Sequence, residues 1–315
     1  MNKPTFLMLV GLPGSGKSTY AQRYSHMYSI HSSDALRYEL FGGENDQEHN
    51  NVVFDTLHKR IKKDLKDGKS VIYDATNTSW KRRKAFLDSI KNIDCYKDAV
   101  VIATPYEVCL EQNEDGERKV PEDVVERMYR NFDIPFYNEG WDAVVIAYMK
   151  DSYASCYGHY GNCIYETLAF SQNNPHHKLS LGEHSVEVRN YIDSALSKMS
   201  CKPVNIEELR VAAILHDCGK PFTKSFNDSK GNPTGIAHYY SHECVGSYNS
   251  LFYDMSDELI DKVYVAALIR WHMILHHFKS WEQKTIDKYT NEFINLDDDF
   301  WNNLKLLNEA DNHAR

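Results

Sequence analysis

The stretch that decides the fold is TFLMLVGLPGSGKST, residues 5–19. Thr5–Val10 is a short, mostly apolar run that leads into a glycine loop, a pattern typical of a buried parallel strand. The loop satisfies G-x-x-x-x-G-K-[ST] and opens a predicted helix at Lys17. Its glycines let backbone N–H groups close around phosphate oxygens, and the helix N-terminus adds partial positive charge. The sequence therefore predicts a nucleoside triphosphate site.

Strand-like and helix-like stretches alternate through residues 1–150. The other strand-like runs lie near Ser29–His31 and at Ser70–Tyr73, Ala99–Ala103 and Ala143–Ala147. The helix-like stretches between them are Lys17–Met27, Gln47–Lys66, Ser79–Lys91 and Pro121–Asn131. This alternation predicts an α/β domain with a doubly wound parallel sheet.

The pattern changes after residue 150. Residues 151–170 are rich in tyrosine and glycine and are predicted to be a linker, although the spacing of Cys156, His159 and Cys163 would also suit zinc if a fourth ligand were present. Residues 171–315 show helical periodicity, most clearly at Val186–Met199, Ile206–His216 and Leu259–His277. We therefore predict an all-α second domain.

Composition limits the possible classes of function. The 315-residue chain has no apolar run of the roughly 18 residues that a membrane helix needs, and its N-terminus does not resemble a signal peptide. Seven scattered cysteines predict reduced thiols and a cytoplasmic protein. A net charge of −9 disfavours broad coating of nucleic acid. The run Lys81–Lys84 is either a local basic patch or a solvated helix face.

The glycine loop and one later carboxylate supply the predicted nucleotide contacts. Lys17 can reach the β and γ phosphates and Ser18 can hold Mg²⁺, while Asp74, at a strand end, can hold the water shell of that ion. The predicted ATP (or other NTP) and Mg²⁺ residues are Gly11, Gly14, Ser15, Gly16, Lys17, Ser18, Thr19 and Asp74.

Asp34 and Arg37 follow the second strand, so a doubly wound sheet would place them beside the phosphates. A carboxylate there can accept a proton from an attacking hydroxyl, and an arginine one turn on can grip an acceptor phosphate. Alternatively, Asp34 caps the helix that begins at Ala35.

With these motifs, the first 150 residues resemble the kinase domain of phage-type polynucleotide 5′-hydroxyl kinases. The resemblance rests on GLPGSGKST, on Asp34 with Arg37, on Asp74-x-Thr-Asn with Arg82-Arg83, and on a lid-like segment with Arg118 before Val-Pro. It implies Asp34 as general base, Arg37 on the acceptor's 3′ phosphate, and Lys17 with Arg118 on the transferred phosphoryl group. The lid departs from the family, because Gln112-Asn-Glu-Asp-Gly116 stands where a further arginine is usual.

Histidines are concentrated in the second half of the chain. His216-Asp217 closes an apolar helix, and such a pair can give an imidazole nitrogen and a carboxylate to a divalent ion. The pairs His238/His242 and His272/His276 are spaced to share a helix face.

The ordered pattern of histidines and aspartates resembles the HD phosphohydrolase superfamily, most closely the HD domain of some CCA-adding tRNA nucleotidyltransferases. The matching pieces are LGEH184, LH216D217-x-GKP, H238YYSH242E, LIRWH272 and NEAD311. The resemblance implies core metal ligands His184, His216, Asp217 and Asp311, with His242 and His272 completing a second position. Imidazole-rich sites favour transition metals of the Mn, Co, Ni and Zn class. Asp217 and Lys220 are predicted catalytic residues, and Lys220 and Arg270 are candidate phosphate contacts.

Joined, the two halves predict an enzyme that heals both ends of broken RNA or DNA. It would be an ATP-dependent 5′-OH polynucleotide kinase and a metal-dependent hydrolase of 2′,3′-cyclic or 3′(2′) phosphates. Two alternatives stay open: a nucleoside or small-molecule kinase fused to a nucleotidase, and a nucleotide-sensing regulator without turnover.

Overall fold

The computed structural model describes residues 3–43, 48–116, 118–149, 153, 155–175, 178–256, 259–294 and 298–315. The chain divides into two compact units. One contains residues 1–129 and 135–153, and the other residues 130–134 and 154–315. No helix in the described ranges is both long enough and apolar enough to cross a bilayer.

The first unit is built on a parallel five-stranded sheet with strand order β2-β3-β1-β4-β5. Its strands are β1 (Thr5–Val10), β2 (Ser29–Ser32), β3 (Val71–Asp74), β4 (Tyr96–Ala103) and β5 (Ala143–Tyr148). Its helices are α1 (Lys17–Arg23), α2 (Ser33–Phe41), α3 (Asn50–Lys66), α4 (Trp80–Ser89), α5 (Tyr106–Asp115) and α6 (Glu122–Tyr129), with a 3₁₀ turn at Tyr137–Glu139. This is the α/β P-loop architecture that the sequence predicted.

Strand order brings the predicted site residues to one edge of this sheet. β1 lies between β3 and β4, so the glycine loop after β1 and Asp74 at the end of β3 are neighbours. β2 pairs with β3 on the other side, and Asp34 lies in the first turn of the helix that follows β2. The carboxyl ends of parallel strands form the usual ligand crevice of such sheets.

The second unit is mainly helical. Its helices are α7 (Asn162–Thr167), α8 (Leu181–Lys198), α9 (Ile206–Leu215), α10 (Lys220–Thr223), α11 (His242–Ser250), α12 (Lys262–Trp271), α13 (Ile274–His277), α14 (Gln283–Ile294) and α15 (Asp298–His313). A two-stranded antiparallel hairpin, β6 (Ser225–Asn227) and β7 (Pro233–His238), comes between α10 and α11.

Several element bounds differ from the sequence prediction. The first helix ends at Arg23, and the stretch Leu259–His277 contains two helices instead of one. The predicted linker contains α7, whose Cys163 and Thr167 are buried. Gln47, the predicted start of α3, lies outside the described residues. The three-segment division of the chain stays a prediction.

The basic run Lys81–Lys84 is not one surface patch, because Arg83 is buried. Its side chain is fully buried and binds Glu139 through two hydrogen bonds, from Nε at 2.8 Å and Nη2 at 2.6 Å. Trp141 Nε1 also donates to Glu139, at 3.1 Å. Of the four residues Lys81–Lys84, only Lys81 and Arg82 are exposed. The partner lies 56 residues away, so local sequence gave no sign of it.

Gly219 allows the segment after α9 to approach α11 closely. A Cβ atom at this position would lie 2.1 Å from the carbonyl oxygen of His242 and 2.6 Å from the nitrogen of Gly246. Both are backbone atoms, so neither can move aside as a flexible side chain would.

We expect Gly219→Ala to destabilise the second unit by about 1–3 kcal/mol, the usual cost of overpacking. A loss of that size lowers a melting temperature by several degrees. Gly235→Ala is the matched control, because nothing lies within 4 Å of a Cβ atom there. Calorimetry that finds equal melting temperatures for the two variants would contradict this account of Gly219.

Candidate active sites

The glycine loop of the first unit forms a compact turn over α1. Gly14 and Gly16 have φ angles of 76° and 91°, which side chains rarely tolerate. A Cβ atom on Gly14 would also lie 2.2 Å from the carbonyl oxygen of Cys109. Lys17 bends back over the loop, and its Nζ donates to the carbonyl oxygen of Leu12 at 2.7 Å. Thr104 Oγ1 donates to the carbonyl oxygen of Ser15 at 2.9 Å and braces the loop from β4.

Ser18 and Asp74 meet beneath the loop. Ser18 Oγ donates to Asp74 Oδ2 at 2.9 Å, so the predicted Mg²⁺ hydroxyl and carboxylate share one location. Burial raises the pKa of Asp74, and Lys17 opposes that rise. Burial lowers the pKa of Lys17, and the nearby carboxylate of Asp74 opposes that decrease. A buried carboxylate beside a hydroxyl is a donor set that fits Mg²⁺ with a phosphate.

Asp34 lies between two arginines. Arg37 Nη1 donates to Asp34 Oδ1 at 2.6 Å, and Arg118 forms an ion pair with Asp34 Oδ2. Arg37 is 4% exposed, and its Nη2 donates to Asn50 Oδ1 at 2.8 Å. Arg37 therefore orients the carboxylate in this structure, and gripping an acceptor phosphate would require an exchange of partners. The cap of α2 is Ser32, whose Oγ accepts from the nitrogen of Ala35, so the capping interpretation of Asp34 is wrong.

In the second unit, all six predicted metal ligands converge. Their donor atoms form two groups within 4.8 Å that share Asp217. The first group is His184, His216, Asp217 and Asp311, and the second is Asp217, His242 and His272. Every one of these side chains is buried. They come from α8, the end of α9, the start of α11, the end of α12, and α15.

Each oxygen of Asp217 faces one group. Oδ2 lies 3.5 Å from His184 Nε2 and 3.2 Å from His216 Nε2. Oδ1 lies 3.2 Å from His242 Nε2 and 3.8 Å from His272 Nε2. This arrangement lets one carboxylate bridge two cations.

Backbone carbonyls select the tautomer of all four histidines. His184 Nδ1 lies 3.3 Å from the carbonyl oxygen of Ala314, and His216 Nδ1 lies 3.0 Å from that of Ala213. His242 Nδ1 lies 2.8 Å from the carbonyl oxygen of Tyr239, and His272 Nδ1 lies 2.6 Å from that of Ile269. A carbonyl oxygen can only accept, so each Nδ1 carries a proton and each neutral ring presents the Nε2 lone pair inward. Such second contacts are how proteins orient metal-binding imidazoles.

Electrostatics of the cluster also fit a cation. Burial alone would raise the pKa of Asp217, but the charge of Lys220 holds it well below its usual range. Burial opposes protonation of His184, yet hydrogen bonds to Asp217 and Asp311 raise its pKa to about 9. The Nε2 atoms of His184 and His216 are 3.1 Å apart, so their lone pairs repel unless a proton or metal ion lies between them. The donor set fits divalent transition metals.

Three residues around the cluster complete its polar contacts. Lys220 Nζ lies 2.7 Å from Asp217 Oδ2 and donates to Gln172 Oε1 at 2.8 Å. His276 and Arg315 both contact Asp311 Oδ2, at 3.1 and 2.9 Å. Arg315 was missed at the sequence level, although its spacing of one helical turn from Asp311 was a usable signal. Arg270 Nε donates to Asp133 Oδ1 of the same unit at 2.7 Å, so a contact with phosphate would require an exchange of partners, and that role stays a prediction.

A pocket of about 240 Å³ opens onto the second group of ligands. Its floor includes Asp217, His242 and His272, and its wall carries the cations Lys220 and Arg315. The remaining lining residues are Asn174, Ala237, His238, Tyr239, Tyr240, Met273 and Asp311. Lys220 and Arg315 are ion-paired with the ligand carboxylates Asp217 and Asp311, so the pocket would suit a small anion such as a phosphate ester once divalent cations are bound.

If the two groups are metal sites, Asp217→Asn should lose both ions, whereas His184→Ala and His272→Ala should each halve the bound metal. His277→Ala is the matched control, because His277 is exposed and lies outside both groups. Elemental analysis of the purified variants measures the content directly. Full metal content in Asp217→Asn would contradict the bridging role.

Comparisons with known proteins divide the chain in the same way. The family model described as AAA domain matches residues 6–135, and the family model described as HD domain matches residues 181–313. The L-seryl-tRNA(Sec) kinase of Methanococcus maripaludis is 27% identical over 143 residues, which are 43% of this chain and 55% of that protein. The chain therefore spans about half the length of this curated relative.

Solved structures also match part of the chain, and two of them are similar as follows. The Pnkp1/Rnl/Hen1 RNA repair complex matches at 23% identity and a TM-score of 0.35, over 41% of this chain and 43% of that one. Kti12 of Chaetomium thermophilum matches at 20% identity and a TM-score of 0.39, over 46% of this chain and 90% of the Kti12 chain. Scores this low carry no argument about function. The fold and the two family matches together show that the chain joins a P-loop kinase-type domain of the AAA family to an HD domain.

Proposed function

We propose that the chain is a bifunctional enzyme that heals nucleic-acid ends, phosphorylating 5′-hydroxyl ends and hydrolysing 2′,3′-cyclic or 3′(2′) phosphate ends. The observation that supports this proposal is that one chain contains two sites whose residues suit phosphate chemistry. One is the P-loop with Ser18, Asp74 and Asp34, and the other is the His/Asp cluster that opens to a pocket lined by Lys220 and Arg315. A cytoplasmic location would suit such an enzyme.

In the proposed kinase reaction, the 5′ hydroxyl oxygen attacks the γ-phosphorus of ATP, its proton passes to Asp34, and ADP leaves. Mg²⁺, held by Ser18, Asp74 and the phosphates, would neutralise charge on the transferred group. Arg37 and Arg118 hold the carboxylate of Asp34 in one orientation before the acceptor arrives. Arg118 is the residue that would turn towards the phosphoryl group, since its side chain is 24% exposed whereas that of Arg37 is 5%.

In the proposed hydrolase reaction, water attacks phosphorus, a P–O bond to the sugar breaks, and the sugar oxygen takes a proton. Divalent cations at the cluster would polarise the phosphoryl group and lower the pKa of water. Lys220 would orient the phosphate while it balances the charge of Asp217. Arg315 lies at the pocket wall and would bind a second phosphate oxygen.

The curated relative offers limited support for a nucleic-acid acceptor. That protein is named a kinase of seryl-tRNA, so its acceptor is RNA-linked. The small-molecule kinase and the nucleotide-sensing regulator stay as alternatives, and the assays below separate them from end healing.

The two activities should be separable by mutation. Lys17→Ala should abolish 5′ phosphorylation and spare end-phosphate hydrolysis, and Asp217→Asn should do the reverse, because the two residue sets lie in different units. The measurement uses radiolabelled oligonucleotides with 5′-OH and 2′,3′-cyclic phosphate ends, ATP, and a panel of divalent metals. The proposal fails if folded Lys17→Ala loses both activities or if the wild type acts on neither end.

A second test concerns the kinase acceptor. If Arg37 exchanges Asp34 or Asn50 for an acceptor phosphate, Arg37→Ala should lower kcat/KM for a 5′-OH oligonucleotide by roughly 10- to 150-fold, the worth of a charge-assisted hydrogen bond. Because Arg37 also orients Asp34, part of that loss will be common to all acceptors, so a free nucleoside is the necessary comparison. An equal loss on both acceptors would assign Arg37 to Asp34 alone. A free nucleoside as the best acceptor would favour the small-molecule kinase.

A further inference from the structure

Two aromatic rings stack beside the metal-ligand pocket of the HD domain. The centroids of His238 and Tyr240 are 5.4 Å apart, and their planes differ by 5°. Both residues line the pocket, and Tyr240 remains 46% exposed. An exposed tyrosine ring at the wall of a polar pocket offers a flat apolar surface to a bound molecule.

Hydrogen bonds hold these rings in place. His238 Nε2 lies 3.1 Å from Thr234 Oγ1, which itself lies 2.9 and 2.8 Å from the carbonyl oxygens of Phe226 and Ile236. The threonine hydroxyl donates to a carbonyl, so His238 Nε2 carries the proton and its Nδ1 accepts from the Tyr240 hydroxyl at 3.4 Å. The pair is thus ordered before any ligand binds.

The backbone ties the ring pair to the metal ligands. Tyr240 is two residues before His242, and Ser241 between them has a φ of 65°, a turn that few side chains adopt. His242 Nδ1 lies 2.8 Å from the carbonyl oxygen of Tyr239. A ligand on Tyr240 would therefore lie at a fixed distance from His242.

The neighbouring tyrosine is already engaged. Lys220 Nζ lies 5.5 Å from the ring centroid of Tyr239, and the Tyr239 hydroxyl donates to the carbonyl oxygen of Gln172 at 2.5 Å. Tyr239 is thus committed to contacts within the pocket wall. Tyr240 is the ring with a large exposed fraction.

We propose that the His238–Tyr240 pair is a stacking platform for the terminal nucleobase of a strand whose end phosphate enters the metal-ligand pocket. The pocket volume of about 240 Å³ lies below the roughly 300–1,000 Å³ of sites that enclose a whole ligand. It would take the phosphate and sugar and leave the base at the rim. Bases of any sequence stack on aromatic side chains, so the platform confers preference for a nucleotide end without sequence preference. This inference rests on the proposed hydrolase function and names its specificity residue.

The test measures binding in the absence of turnover. An oligonucleotide with a non-hydrolysable 3′-phosphonate end and a terminal 2-aminopurine is titrated with metal-loaded protein, and stacking is read as quenching of its fluorescence. Tyr240→Ala should weaken binding roughly 5- to 150-fold, the loss reported for one base–aromatic stack. Tyr240→Phe should retain both affinity and quenching. Tyr165→Ala is the matched control, since Tyr165 is 75% exposed in the same unit and does not line the pocket.

A second ligand, with a terminal 1-deoxyribose that lacks a base, isolates the stacking contact. Wild-type protein should prefer the base-bearing end, and Tyr240→Ala should erase that preference. Absence of quenching, or equal affinity of the wild type for both ends, overturns the platform, and this comparison decides the matter even if Tyr240→Ala does not fold.

Hydrolysis of the corresponding 3′-phosphate ends with Mn²⁺ keeps the two proposals apart. Hydrolysis without base preference rejects the platform alone. Quenching without hydrolysis of any end phosphate rejects the proposed function and leaves the platform as a binding site.

Discussion

The shared carboxylate of Asp217 is the interaction on which the HD domain depends. Its two oxygens face two sets of histidine nitrogens, and Lys220 lies against one of them. A fully buried carboxylate is costly unless positive charge surrounds it. Residues from separate helices converge because this anion needs partners, and Gly219, two residues later, lets the chain pass close enough to α11 to supply His242. The close packing of the helices and the position of the ligand side chains around Asp217 therefore depend on each other.

The P-loop domain handles charge in a related way with different residues. Asp74 is buried against Ser18, and its charge opposes the lowering of the Lys17 pKa by burial. Asp34 is held between Arg37 and Arg118. Each carboxylate is placed at the carboxyl edge of the sheet by the strand order. Both domains thus preorganise anions and cations at the candidate sites, which would reduce the reorganisation that the proposed reactions require.

The sequence predicted the features that follow from local pattern. The strand–glycine loop–helix of the P-loop and the spacing of His216-Asp217 are short-range signals, and the structure places them as expected. Contacts between distant residues that no family resemblance covers were not predictable. Arg83 belongs to a basic run, yet its partner Glu139 lies 56 residues on. Likewise, nothing near Arg37 in sequence marks Asn50 as its second partner. Such pairings depend on how helices meet, which composition and periodicity do not encode.

Anomalous diffraction from crystals of the manganese-loaded protein tests the central claim most directly. The account predicts two anomalous peaks on opposite sides of Asp217, one within coordination distance of Oδ2 with His184, His216 and Asp311, and the other of Oδ1 with His242 and His272. A single peak that leaves one oxygen of Asp217 without metal, or peaks away from these residues, would contradict it.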